Sequence, residues 1–185
     1  MVFSLRKLEP DDLPLLYAWE NDDSAWAGSD THNPLSRQDL RAYIAATTGD
    51  IYRDGQLRLM IVRSCEEGSL RCENSILGDI HSTKGECVGC IDLFDFDARN
   101  RKAAIGLYVS PHARGQGVGH AAVQRVLRYA FEFLHLRMVY AVVSAENEPS
   151  TRLFHSMGFI PTARLRCWTL EGDAVVWQYI NPHRS

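Results

Sequence analysis

The stretch Arg114-Gly115-Gln116-Gly117-Val118-Gly119 decides how this chain is read. It lies between a strand-like run ending at Val109 and a helix-like run that follows. Ser110-Pro111 closes the strand, because proline cannot extend a ladder and biases its predecessor away from helix. Three glycines in five positions free the backbone for positive φ and admit a bulky anion at close range. The next helix aims its first unpaired N–H groups, and the positive end of its dipole, into that turn. Together these parts make an anion site suited to a diphosphate. The plain alternative is a glycine-rich strand-to-helix turn with no ligand. Two other phosphate loops do not fit. A Walker loop ends in Gly-Lys-Ser/Thr, whereas Gly119 is followed by His120 and Ala121. A dinucleotide fingerprint needs Gly-x-Gly-x-x-Gly in an opening βαβ unit, and here the glycines fall at 115, 117 and 119, past the middle of the chain.

Outward from the turn the pattern is regular. Val118, Ala122, Val126, Tyr129 and Phe133, with Val123, Leu127, Ala130 and Leu134, form the buried face of an amphipathic helix. Gln124, Arg128, Glu132 and His135 fall on its opposite side. Met138–Ser144 reads as a central strand, and Pro149–Met157 as a short helix closed by Gly158. Ala163–Leu170 and Ala174–Ile180 read as a hairpin joined by Glu171-Gly172-Asp173. On the N-terminal side, Cys87–Phe96 and Lys102–Val109 are strands joined at Asp97-Ala98-Arg99-Asn100. Phe3–Leu8 alternates as a half-buried strand. Asp11 or Asp12 caps a helix holding Leu13, Leu16 and Trp19, and Asn21-Asp22-Asp23-Ser24 ends it. Ser36 caps a second helix to about Thr47, with Asp39 completing a capping box, and Leu57–Val62 is a strand. Residues 64–86 are polar and aperiodic: a long loop or insert, or a short strand around Asn74–Ile80.

Composition narrows the class. The chain has 185 residues, 45% hydrophobic and 23% charged, which suits one domain, 1–185, with a sizeable core. A net charge of −3 argues against a nucleic-acid partner bound through a broad basic face. No run has the length of a membrane span or the apolar core of a signal peptide, so a cytoplasmic location is expected. Five cysteines suggest no disulfide framework. Cys87-Val88-Gly89-Cys90 has the C-x-x-C form but lies in a strand without a partner pair, and no metal is expected.

The turn matches Arg/Gln-x-x-Gly-x-Gly/Ala at Arg114, Gly117 and Gly119, and so resembles the GCN5-related N-acetyltransferases. The segment Asn147 to Phe159 is similar to that family's Asn-x-x-(Ala/Ser)-x-x-Leu-Tyr-x-x-x-Gly-Phe pattern, with Ser150, Leu153, Gly158 and Phe159 in register. The strands Val88–Phe96 and Ala103–Ser110 look most like the subgroup of spermidine and ribosomal-protein N-terminal alanine acetyltransferases. The resemblance implies an α/β (α+β) fold: a mixed, mainly antiparallel sheet, a splayed central strand pair, and helices on both faces. It also implies acetyl-CoA as cosubstrate. Leu107, Tyr108 and Val109 would pair with the pantetheine arm. Arg114, Gly115, Gln116, Gly117, Val118, Gly119 and His120 would hold the diphosphate. Asn147, with Ser150 and Phe154 nearby, would meet the pantetheine, although Asn147 also suits a helix cap. The acceptor would be a small amine, with polycations ranked first, or a peptide N-terminus. The resemblance also admits a homo-oligomer.

The chemistry is attack of a neutral amine on a thioester. Family members often protonate the departing thiolate with the Tyr of Leu-Tyr, and this chain has Phe154 there. Ser150, Tyr108, His155, water or the dipole of the Pro149 helix are the substitutes. Asp92 and Asp95 are the candidates for handling the amine. Their odd spacing turns them to opposite sides of a regular strand, so both serve only if a bulge intervenes. The alternative is solvated charge at a sheet edge. Glu20, Asp22, Asp23 and Trp26 stand where the family lines its acceptor groove, or simply end a helix.

Overall fold

The computed structural model describes residues 2–22, 33–64, 85–170 and 172–182. Alternating runs become the strands β1 (Val2–Lys7), β2 (Leu57–Ser64), β3 (Glu86–Asp97), β4 (Lys102–Val109), β5 (Met138–Ser144), β6 (Ile160–Thr169) and β7 (Gly172–Ile180). They form one seven-stranded sheet in the order β1-β2-β3-β4-β5-β7-β6. Every neighbouring pair is antiparallel except β4 with β5. That parallel ladder holds three pairs, Lys102–Met138, Ala103–Val139 and Ala104–Tyr140, and stops there. Ile105–Val109 and Ala141–Ser144 therefore run on without bonding each other. This is the expected splay.

The helices are α1 (Leu13–Glu20), α2 (Arg37–Ala46), α3 (Ile51–Asp54), α4 (Val118–Arg128) and α5 (Glu148–Ser156). One sheet face carries Leu59, Ile61, Ile91, Leu93, Ile105, Ala141 and Val143, packed against Val118, Ala122, Val126 of α4 and Phe154 of α5. The alternate residues of the same strands, Arg58, Asp92 and Tyr108 among them, meet α1 and α2, which bury Leu13, Leu16 and Leu40 in a second cluster. Helices thus cover both faces, as expected.

Several local expectations change. Ser36 and Asp39 do form a capping box on α2, but neither Asp11 nor Asp12 caps α1 through its side chain. Asp12 is drawn off by Arg6, which grips it at 2.6 and 2.7 Å, and by the Glu9 N–H at 2.9 Å. Phe133 is 60% exposed rather than buried. The helix widens into a π turn over Tyr129–Phe133, with the Leu134 N–H donating to Tyr129 at 3.1 Å. A wider turn slips the 3.6-residue phase that would have buried Phe133. Helix α3 was not expected; Asp50 caps it and Gly55, at φ 71°, ends it. The long loop or short strand expected over 64–86 lies outside the described residues between 65 and 84.

Candidate active site

At the open end of the split, the sequence-local turn and two strand ends converge. Leu107, Tyr108 and Val109 of β4, the turn and first residues of α4, Ser144 and Glu146 at the end of β5, and Asn147, Pro149, Ser150 and Leu153 enclose a cleft of about 630 Å³. Of the expected cofactor residues, Leu107, Tyr108, Val109, Arg114, Gly115, Gly117, Val118, Gly119, His120, Asn147 and Ser150 line it. Gln116 and Phe154 do not. The Gln116 amide points back to the scaffold, donating to the His112 carbonyl and accepting from Arg63, each at 2.8 Å. Phe154 is 4% exposed and stands edge-on to Phe159 at 5.0 Å, inside the core. Ser144 and Glu146 were not singled out from sequence; their place between a strand end and Asn147 was the available signal.

The three glycines of the turn have two different jobs. Gly115 and Gly117 have φ of 72° and 78°, and a Cβ at either would meet no atom within 4 Å. Their freedom is conformational, and the space beyond them is open for a ligand. Gly119 has no positive φ; a Cβ there would press on Leu153 at 3.1 Å and Leu107 at 3.2 Å. It is glycine so that α4 can approach β4 and α5 closely. This open, donor-rich turn fits the diphosphate of acetyl-CoA, and the unbonded edges of the split fit an extended arm. Arg114 folds back, its Nε donating to the Val109 carbonyl at 3.0 Å. The Asn147 Oδ1 accepts from the Ser150 N–H at 3.1 Å, so its capping role is present. Its amide N–H donors are not used by that bond.

Among the substitutes for a tyrosine acid, Ser150 and Tyr108 line the cleft. His155 does not, standing edge-on to Trp177 at 6.4 Å. The Tyr108 ring packs on Trp19 at 5.4 Å, and burial followed by the charge of Asp22 raises the pKa of its phenol. A phenol is protonated at neutral pH in any case, and the shift makes it a weaker proton donor.

The acidic candidates separate. Asp92 is held by Arg58 through two bonds of 2.8 and 2.9 Å, while a third guanidinium nitrogen reaches Glu20 at 2.5 Å. Arg58 also lies over the Tyr43 ring, 5.6 Å from its centroid. Burial opposes its charge, but Asp92 outweighs burial and keeps the guanidinium fully protonated. Two expected substrate carboxylates, Asp92 and Glu20, are thus bound to an internal cation that sequence reasoning did not name. Asp97 is engaged with the backbone and side chain of Asn100 at 2.8 and 2.6 Å, and these bonds lower its pKa. Asp95 occupies a β-bulge between Phe94 and Asp97, with φ 47°. Its carboxylate accepts from the Tyr140 hydroxyl at 3.3 Å. Asp23 and Trp26 lie outside the described residues.

Cys90 is buried beside Asp92, and burial pushes its thiol up to about 12. Cys87 is half-buried against Arg6, which donates to its Sγ at 2.9 Å. Among the described residues, no three His, Cys, Asp or Glu side chains gather as metal ligands, and no helix is long and apolar enough to cross a membrane.

A family model described as an acetyltransferase (GNAT) domain matches residues 3–160. YdaF of Bacillus subtilis (strain 168), provisionally named a ribosomal N-acetyltransferase, is 34% identical over 82 residues, 44% of this chain and 45% of that protein. The spermidine N(1)-acetyltransferase of Escherichia coli (strain K12) is 29% identical over 97 residues, 52% of this chain and 47% of that protein. The chain therefore spans about half the length of these curated relatives. A crystal structure of spermidine N-acetyltransferase from Vibrio cholerae, in complex with CoA and spermine, superposes with a TM-score of 0.79 at 18% identity, covering 96% of this chain and 95% of that one. It has the same fold.

Proposed function

This chain belongs to the acetyltransferase (GNAT) family, and from that premise we propose that it transfers acetyl from acetyl-CoA to the nitrogen of a small amine. Polyamines and other multiply charged amines rank first as acceptors. The observation that carries this reading is the cleft in which an open glycine turn and the unbonded edges of β4 and β5 meet. The spermidine acetyltransferase among the relatives supports the choice of acceptor.

When bound, the cosubstrate supplies an acetyl thioester; a new N–C bond forms and the C–S bond breaks. The chain's own residues would divide the remaining work. Turn N–H groups near Gly115–His120 hold the diphosphate, and the dipole of α4 favours its charge. Backbone groups of β4 beyond its three-pair ladder with β5 orient the extended arm, the Val109 carbonyl being already engaged by Arg114. An N–H of that strand can face the carbonyl oxygen as it gains negative charge. The ammonium must lose a proton, and a carboxylate on β3 can hold the cation while water carries that proton away. The thiolate must gain one, and Tyr108 or Ser150 can give it.

A protein N-terminus is the alternative acceptor class. The experiment is thiol release from acetyl-CoA with spermidine, a monoamine, an aminoglycoside and an alanyl peptide. Turnover with spermidine supports the reading. Turnover with the peptide alone moves it to protein N-termini, and failure to release thiol with any of these amines leaves a CoA-binding module and overturns it.

A further inference from the structure

We propose that Asp95 and Tyr140 form the seat for the acceptor's ammonium group, with Tyr140 acting as the positioning residue that fixes the Asp95 carboxylate. The inference deepens the acetyltransferase reading and rests on it. Three independent features lead here.

The first is position. Tyr140 is the last residue of β5 that pairs with β4, so it marks the apex of the split. From there the five residues Ile105–Val109 run on for about 16 Å at ~3.3 Å per residue, the last three of them lining the cleft. An extended arm entering from the cleft would carry its reactive tip towards Tyr140.

The second is the bulge. In a regular strand Asp95 would share the face of Ile91 and Leu93, which is the buried core. The extra residue, with Asp95 in the left-handed region, turns its carboxylate to the opposite face, that of Asp92 and Phe94. There it reaches across β4 beside the small Ala104, which pairs with Phe94 on one side and Tyr140 on the other, and meets a hydroxyl two strands away. A hydroxyl donor fixes a carboxylate without cancelling its charge.

The third is elimination. On the same stretch of β3, Asp92 is neutralised by Arg58 and Asp97 serves its own turn. Asp95 is exposed and its hydrogen-bond partner is a neutral phenol. It is the carboxylate of this group that keeps its negative charge available to a cation.

The test is calorimetric titration of spermidine into the protein saturated with CoA. Asp95→Asn should weaken spermidine binding at least about tenfold, because a charge-assisted bond is lost. Asparagine tolerates the left-handed backbone, so the bulge should survive. Tyr140→Phe should weaken it roughly three- to fivefold, and the double variant should bind no more weakly than Asp95→Asn, because the phenol acts only through the carboxylate. Affinity for CoA should stay within about twofold throughout, which a general loss of structure would not allow. Unchanged spermidine binding in Asp95→Asn overturns the proposal, as does a Tyr140→Phe effect that persists fully in the Asp95→Asn background. No spermidine binding by the unsubstituted protein overturns it too. Failure of thiol release with every amine would remove the acetyltransferase reading and is scored separately.

Discussion

The glycine turn and the face of β3 make an instructive pair. The turn is built from backbone: two left-handed glycines, a helix start and a strand end, all within Val109–His120. The β3 face is built from side chains that meet across the sheet, Arg58 with Asp92 and Glu20, and Asp95 with Tyr140. A backbone device needs its residues contiguous, so it leaves a motif. A side-chain device needs only a shared face and register, so its parts can stand 34, 38 or 45 residues apart and leave none. The two regions should also fail differently: damage to the turn should cost ligand affinity, and damage to the β3 face should cost stability or acceptor choice.

The hardest test of that contrast is Arg58→Met. It removes the cation shared by two carboxylates that are each about a fifth exposed, and stability should fall by roughly 2–3 kcal/mol, less than for a fully buried pair because water reaches them. Adding Asp92→Leu should return part of the loss in chemical denaturation. A single Arg58→Met variant as stable as the parent would mean the cluster is only decorative charge.

Gly117→Val comes next. Valine is strained at φ 78°, and its side chain would enter open space on the ligand side. Acetyl-CoA binding should weaken well over tenfold, roughly 1.4 kcal/mol or more. An unchanged dissociation constant in a folded variant would remove the turn from the cofactor site.

Phe154→Tyr sharpens the boundary between the two regions. Phe154 is buried against Phe159 rather than facing the cleft, so a hydroxyl there should lower stability by about 1 kcal/mol, unless it finds a partner, and leave turnover unchanged. A clear gain in turnover would show that the ring reaches the thiolate after all.

The smallest effect concerns charge preference. With Asp92 and Glu20 tied to Arg58, an extra ammonium on the acceptor should add less than ~1 kcal/mol, and salt should erode it. Comparing kcat/KM for spermidine and a monoamine of similar length, at low and high salt, measures this. A large, salt-resistant preference would mean that Arg58 does not neutralise the face.

The fold was legible because its determinants repeat locally: period two in β1–β4, the helical period in α4, and Pro149 with Gly158 around α5. The walls of the cleft were legible for the same reason, down to Asn147. Three side chains depart from their expected directions for a common reason. Phe133, Gln116 and Phe154 were placed by an ideal period or a motif position, whereas a π turn, the pull of Arg63 and the Phe159 ring set where they point. Arg58 and Tyr140 were invisible for the converse reason: each looks ordinary in its own strand and acquires meaning only from its neighbour's register.

The short parallel ladder between β4 and β5 has a mechanical consequence. A sheet that elsewhere zips along whole strands is here joined by three residue pairs, with the core beneath as the other bond between its halves. Amides of Ile105–Val109 that look towards β5 have no strand to shield them there, while those facing β3 remain locked. Hydrogen exchange along β4 should therefore alternate, fast and slow by turns, and a bound arm lying in the split should erase the alternation. The molecule would then carry its own gauge of whether the gap is filled.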